Sequence, residues 1–295
     1  MLTKRRFAFG MGAVAAGGVL FPAINTRGAG AAERLPEDFA RIERESGGRL
    51  GVAVLDTRLK GQWGHRADER FPMCSTFKLL AAAAVLTRVD TGKEQLTRRI
   101  RFEASDVVVG SPVTKERVGG TGMTVAELCE AAMTMSDNTA GNLLLGMVGG
   151  PIGFTDFVAS LGDTMTRLDR IEPALNEATP GDMRDTTSPS AMAANLRALI
   201  LEDALSVDSR MRLINWLIAN KTGDTRLRAG VPNSWRIGDK TGSGERGTTN
   251  DVAIIWPGRR EPILVAAYLT GTTAAPEQRN ATLAAVGRAI AAVMV

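Results

Sequence analysis

Strand-forming sequence lies at the two ends of this chain and helix-forming sequence in its middle, and that segregation narrows the folds open to it. Residues 50–55 and 61–66 are rich in β-branched and apolar side chains around a turn-prone 56–60, a hairpin pattern. From about 71 to 220 the pattern is mostly helical, over 77–86, 125–135, 138–147, 152–161, 190–202 and 206–219. Strand patterns return at 235–240, 248–256 and 262–269, before an amphipathic helix at 277–293. Strands must lie side by side to pair, so the two ends of the chain must meet. The expected class is α/β (α+β): an antiparallel sheet of about five strands built from both termini and flanked by helices, with an all-helical lobe inserted. The α/β lobe takes residues 33–68 and 216–295 and the helical lobe 69–215, with the active site between them. Within the helical lobe, 167–185 is polar, aperiodic and interrupted by Pro173 and Pro180, long enough to be a functional loop in its own right.

The first 32 of the 295 residues read as an export signal. Lys4, Arg5 and Arg6 precede an apolar, Gly-rich run at 7–24, and small residues follow through Ala31 and Ala32, the order of a cleaved signal peptide. A spanning helix needs about 20 continuous apolar residues, and this run is broken by glycines and Pro22, so removal is expected rather than anchoring. The stretch from Thr3 to Phe7 resembles the twin-arginine pattern, with the general secretory route as the alternative. A periplasmic or secreted protein, not stably membrane-associated once the signal is removed, is expected. Lys4, Arg5, Arg6 and Arg27 also carry the formal charge, since +4 − 4 leaves the remainder near zero. Aromatic residues are only 5% and no basic block is interleaved with them, so nucleic acid is not an expected partner.

Histidine gives the sharpest chemical exclusion, because the chain has one, His65. A Ser/His/Asp triad would have to use it, and no Gly-x-Ser-x-Gly elbow exists to present a serine to it. Zinc hydrolase sites typically use two or three histidines, so neither a metal nor another cofactor is expected. A hydrolase built from this sequence must take its base from lysine or carboxylate. Cys74 and Cys129 are too few for a disulfide framework and read as buried free thiols. The run Gly242 to Gly247 matches the Gly-x-Gly-x-x-Gly dinucleotide pattern, but it leads into Thr248, Thr249, Val252 and Ile254 rather than a helix. It reads as a hairpin bend.

Four short motifs occur in one order: Ser75-Thr76-Phe77-Lys78, Ser136-Asp137-Asn138, Glu172-Pro173-Ala174-Leu175-Asn176 and Lys240-Thr241-Gly242. Singly each is weak, since a Ser-x-x-Lys arises by chance about once in a chain of this size. Ser75 precedes the apolar helical run, where a serine is also a natural N-cap. One turn on is Lys78, a costly residue inside that run unless its amine has a partner. An amine beside a serine hydroxyl can lower the hydroxyl's pKa or take its proton, which activates a serine without histidine. Backbone N–H groups of the helix start, with that of Ser243, can form an oxyanion hole. Ser136, Asp137 and Asn138 likewise stand where caps are expected.

Together and in this spacing, the motifs resemble those of class A serine β-lactamases, within the penicillin-recognising serine acyltransferase superfamily. The resemblance runs from about Arg34 to the end. It implies hydrolysis of the β-lactam amide by a serine acyl-enzyme: Ser75 as nucleophile, either Lys78 or Glu172 as the base of acylation, Glu172 as the base of deacylation, and Ser136 relaying a proton to the leaving nitrogen. It implies that Asn138 holds the substrate's side-chain amide, that Asn176 shares the deacylating water with Glu172, and that Lys240 and Thr241 meet the substrate carboxylate. Thr249 stands where most members have an arginine for that carboxylate, and Arg226 stands where a subset supplies it instead. The stretch 167–185 resembles the family's Ω loop, in which Arg170 and Asp185 pair. The expected partner is a small β-lactam, and the expected state a monomer.

Departures from the family pattern bear on spectrum. Cys74 takes the place of one half of a disulfide whose other half would be Gly244, Cys129 that of another whose other half would be Ala82, and Gly110 replaces an aromatic that flanks the cleft. Neither disulfide can form, and the preferred β-lactam class stays open. Glu172 separates the two enzymes of the superfamily, since a penicillin-binding D,D-peptidase acylates but lacks a base to release itself. A non-catalytic relative would have lost one of Ser75, Lys78, Glu172 or Lys240, and none is lost.

Overall fold

The computed structural model describes residues 30 and 32–294; the expected export signal lies almost wholly outside them. Five antiparallel strands form one sheet: β1 (Arg49–Asp56), β2 (Gly61–His65), β3 (Arg236–Ser243), β4 (Thr249–Trp256) and β5 (Ile263–Thr270). Their spatial order is β2-β1-β5-β4-β3. The two ends of the chain meet where β1 pairs with β5, with Val52 opposite Ala267. The α/β class and the five-stranded sheet are as the sequence pattern predicts.

The central strand shows why the sheet sits in the middle of the molecule. Along β5, Leu264, Ala266 and Tyr268 face one core, while Ile263, Val265, Ala267 and Leu269 face another, and all seven are buried. Side chains alternate faces along a strand, so a strand apolar at every position must be covered on both sides. One cover is α1 (Leu35–Ser46) with α9 (Pro276–Val293), through Leu35, Phe39, Ile42, Leu283, Val286 and Ile290. The other is helical: α2 (Phe77–Asp90), α3 (Val125–Thr134), α4 (Asn138–Val148), α5 (Gly150–Ser160), α6 (Pro189–Leu201) and α7 (Val207–Ile218). A short helix, α8 (Leu227–Gly230), packs against α9, and its Arg228 donates Nη1 to the Ile237 carbonyl of β3 (3.2 Å).

Helix α2 is buried along Phe77–Leu86 on every face, which its alanine-rich run permits by keeping neighbouring backbones close. It ends at Asp90 instead of Leu86: the Asp90 carboxylate, on the last turn, accepts from the Ser206 N–H (2.8 Å) and the Ser209 hydroxyl (2.6 Å) at the start of α7. The sequence pattern does not reveal helix α1. Its charged residues hide a stripe of Leu35, Phe39, Ile42 and Ser46 at helical spacing, between Pro36 at its start and Gly47, with φ +64°, at its end.

Candidate active site

Ser75 stands in a turn of 3₁₀ helix, Cys74–Thr76, that runs into α2. It is not an N-cap: neither Met73 nor Thr76 at the cap positions makes a side-chain cap bond, and the Ser75 hydroxyl points elsewhere. Cys74 before it takes a left-handed backbone, φ +45°, at a cost of about 1–2 kcal/mol. The turn is held from beneath, where Thr76 Oγ1 donates to the Met73 carbonyl (2.8 Å) and lies 3.2 Å from the Tyr268 hydroxyl.

The Ser75 hydroxyl lies between a cation and an anion. Its Oγ accepts from Lys78 Nζ (2.7 Å) and donates to Glu172 Oε1 (3.2 Å). Lys78 Nζ also reaches Glu172 Oε1 (2.8 Å), Asn138 Oδ1 (2.6 Å) and the Ser136 carbonyl (3.0 Å). An ammonium has three N–H bonds and here has four oxygen neighbours, so the amine is caged. Burial pushes its pKa below the ordinary lysine value, and the Glu172 carboxylate opposes that shift. Lys78 fits beside α4 only because residue 141 is glycine: a Cβ there would lie 2.7 Å from Lys78 Cε.

Glu172 is fixed by residues before and after it. Asn142 on α4 brackets its backbone, with Oδ1 accepting the Glu172 N–H (2.9 Å) and Nδ2 donating to its carbonyl (3.0 Å). Asn176, in the 3₁₀ turn Ala174–Asn176, donates Nδ2 to Glu172 Oε2 (2.5 Å). The Asn176 Oδ1 atom is buried and has no partner among the described residues. The Ω loop is tied at its base: Arg170 Nε pairs with Asp185 Oδ2 (2.5 Å), while Asp185 Oδ1 accepts the N–H groups of Asp169 (2.8 Å) and Arg170 (2.9 Å). The expected Arg170–Asp185 pair is present.

On the opposite wall the three residues of Ser136-Asp137-Asn138 divide their work. Asp137 is the cap of α4, accepting the Ala140 N–H (2.9 Å), and its carboxylate also takes the N–H groups of Val113 and Thr114. Ser136, with φ +56°, is thereby turned so that its Oγ accepts from Lys240 Nζ (3.0 Å). Asn138 donates one Nδ2 hydrogen to the Val109 carbonyl (2.8 Å), and the other has no partner among the described residues. Gly110, at φ +81°, packs so closely that a Cβ would lie 2.7 Å from Asn138 Nδ2.

The strand pattern predicts an end at Lys240, and the structure differs. Strand β3 continues through Gly242, opposite Asn250, and Ser243, opposite Thr249. Glycine reads as a breaker, but here it allows close approach: a Cβ on Gly242 would lie 2.7 Å from the Met73 carbonyl and 3.2 Å from Thr76 N. The strand edge is thus pressed against the Ser75 turn. The buried Lys240 amine also donates to the Thr241 carbonyl (2.9 Å), and burial, reinforced by the Lys78 charge, pushes its pKa well below the ordinary value.

Further along β3, Thr241 Oγ1 meets Thr222 Oγ1 (2.5 Å). Arg226 donates to the carbonyls of Gly242 (2.8 Å) and Asn250 (2.7 Å), to Asn280 Oδ1 (3.1 Å) and to Ser243 Oγ (2.7 Å). Those four bonds leave one of its five N–H groups, and leave the Ser243 hydroxyl proton free to donate. Ser75, Lys78, Ser136, Asn138, Glu172, Asn176 and Lys240 thus form one connected hydrogen-bonded set, and Thr241, Ser243 and Arg226 extend it along the strand. His65 stands apart, its Nε2 on Glu43 Oε2 (2.8 Å) of α1. Both cysteines are free and buried, and burial raises both thiol pKa values. Asn142, Gly141 and Tyr268 were not singled out in the sequence. Asn142, four residues after Asn138 and so on the same face of α4, carried the one available signal.

A model of the "Beta-lactamase enzyme family" matches residues 34–294. The chain is 48% identical over 259 residues to β-lactamase CTX-M-8 of Citrobacter amalonaticus, covering 88% of this chain and 89% of that one. It is 51% identical over 253 residues to β-lactamase FAR-1 of Nocardia farcinica, covering 86% and 80%. Among solved structures, the class A β-lactamase of the last common ancestor of Gram-negative bacteria superposes with a TM-score of 0.87 at 62% identity, covering 89% of this chain and 100% of that one. A putative class A β-lactamase from Rhodopseudomonas palustris gives 0.87 at 60% identity, covering 88% and 99%. With fold, motif order and similarity over residues 34–294 in agreement, this chain belongs to the class A β-lactamases, which hydrolyse β-lactams through a serine acyl-enzyme and confer resistance to them.

Proposed function

We propose that Ser75 is the nucleophile and that Glu172 is the base that frees it. The observation that carries this reading is the single carboxylate oxygen, Glu172 Oε1, within hydrogen-bonding reach of both Ser75 Oγ and Lys78 Nζ. Ser75 Oγ attacks the β-lactam carbonyl carbon as its proton passes to Lys78 or Glu172, both of which contact the hydroxyl. The backbone N–H groups of Ser75 and Ser243 receive the oxyanion. Ser136, polarised by Lys240, delivers its proton to the leaving nitrogen and is reprotonated with the proton that Ser75 gave up, and the C–N bond breaks to give the acyl-enzyme. Glu172 then takes a proton from water, whose oxygen attacks the ester carbon; the bond to Ser75 Oγ breaks as that oxygen takes a proton back from Glu172 or Lys78, which both contact it. The unpartnered Asn176 Oδ1 fits a second contact to that water. Lys240, Thr241, Ser243 and Arg226 receive the substrate carboxylate, and Asn138 the side-chain amide.

The reading extends to a chain exported through its first 32 residues, working as a periplasmic or secreted monomer on small β-lactams, with the α/β lobe at 33–68 and 216–295 and the helical lobe at 69–215. Purified protein lacking the first 32 residues is expected to hydrolyse a chromogenic cephalosporin over many turnovers, and Ser75→Ala to abolish that hydrolysis with the circular dichroism unchanged. Residual turnover in Ser75→Ala at the parent rate would remove Ser75 from the nucleophile's role.

A further inference from the structure

A cavity of about 420 Å³ lies between residues 178–183 of the Ω loop, the β3–β4 turn and the chain around Arg49 and Arg70. None of the ten residues of the catalytic constellation lines it. Its walls carry three arginines, Arg49, Arg70 and Arg246, against one carboxylate, Asp182, which is already bound to Arg184 (2.7 Å). Arg49 pairs with Glu69 (3.1 Å). Arg70 gives Nη1 to the Met165 carbonyl (2.6 Å) and Thr186 Oγ1 (3.0 Å) and has no carboxylate partner among the described residues. The Arg246 side chain likewise has no hydrogen-bond or ion-pair partner among them, and its backbone is held at φ +54°. Pro180 and the exposed Met183 line the same cavity.

We infer that this cavity binds a small organic dicarboxylate, its charges received by Arg70 and Arg246 and its apolar body by Pro180 and Met183. Guanidinium groups suit planar carboxylates, and a concave site of this size with an apolar wall and a few convergent charges is the form small-molecule sites take. The same walls lead to the catalytic residues: the Glu245 N–H donates to the Asn176 carbonyl (2.9 Å), and the Gly271 N–H to the Arg246 carbonyl (2.8 Å). An occupant therefore fixes the segments that carry Asn176 and Ser243. Its effect on turnover rests on the roles proposed for those residues, but its binding does not. Two sources share the ligand chemistry: a free dicarboxylate, and the hydrolysed β-lactam itself, in which opening the amide adds a second carboxylate to the first.

Isothermal titration calorimetry of the protein lacking its first 32 residues reads binding directly, with 2-phenylsuccinate in one arm and hydrolysed benzylpenicillin in the other. A Kd of about 1 mM is expected for ligands of this size. Arg246→Gln and Met183→Glu should each raise it about tenfold while keeping the parent melting temperature and cephalosporin hydrolysis. The dimethyl ester of phenylsuccinate should not bind. Binding in both arms makes the enzyme's own product an occupant, and binding of phenylsuccinate alone makes the occupant a free dicarboxylate. No saturable heat in either arm, or binding that neither substitution weakens, overturns the inference.

Discussion

Replacing Lys78 by methionine keeps the apolar stem and removes the amine, and so isolates what the buried ion pair does for the fold. Both side chains of the Lys78–Glu172 pair have 0% exposure. Removing one partner of a buried pair costs about 3–5 kcal/mol, because the other charge is left uncompensated. The Glu172 carboxylate keeps the Asn176 amide at 2.5 Å and the Ser75 hydroxyl at 3.2 Å, so the lower end applies, about 3 kcal/mol. At about 2–4 °C per kcal/mol for a chain of this size, the melting temperature should fall by about 6–12 °C. Thermal melts of the parent and Lys78→Met at pH 7 should show this gap, and Lys78→Met/Glu172→Gln, which removes the uncompensated charge as well, should recover at least half of it. An unchanged melting temperature in Lys78→Met, or no recovery in the double variant, would refute the reasoning.

Gly242→Ala places a Cβ 2.7 Å from the Met73 carbonyl and pushes β3 off the Ser75 turn. It should cost about 1–3 kcal/mol and lower kcat/KM roughly tenfold or more, whereas Gly120→Ala, whose nearest neighbour would be 3.9 Å away, should be neutral on both counts; steady-state kinetics and thermal melts of the two variants decide it. Cys74 and Cys129 are both 0% exposed with raised pKa values. An aromatic disulfide reagent at pH 8 should leave both untouched in the folded protein and titrate both in denaturant, and fast reaction of either in the folded state would contradict the burial.

Much of the fold was legible because its periodicities are local. The strands at both ends and the helices between them follow from period 2 and period 3.6 patterns, and the antiparallel sheet follows from the need to pair them. Helix α1 was missed because its charged residues outweigh four inward positions, Leu35, Phe39, Ile42 and Ser46, whose burial depends on β1 and α9. The end of β3 was missed because Gly242 and Ser243 look like a turn until the Ser75 backbone is brought beside them. The motifs named the site's residues but not what holds them. Asn142 supports Glu172 through its backbone, Gly141 makes room for the Lys78 stem, and Tyr268 backs Thr76 from a strand some 190 residues later in the chain. Each of these acts across tertiary distance, where a one-dimensional pattern carries no signal.

The division of labour between Ser75 and Glu172 is tested most directly by intact-protein mass spectrometry of Glu172→Gln during exposure to benzylpenicillin. The substitution keeps an oxygen near Ser75 Oγ and Lys78 Nζ and removes the carboxylate that takes a proton from water. A persistent adduct of the mass of one intact penicillin, lost in Ser75→Ala/Glu172→Gln, is the predicted result. Unmodified Glu172→Gln protein that turns penicillin over at the parent rate would contradict it.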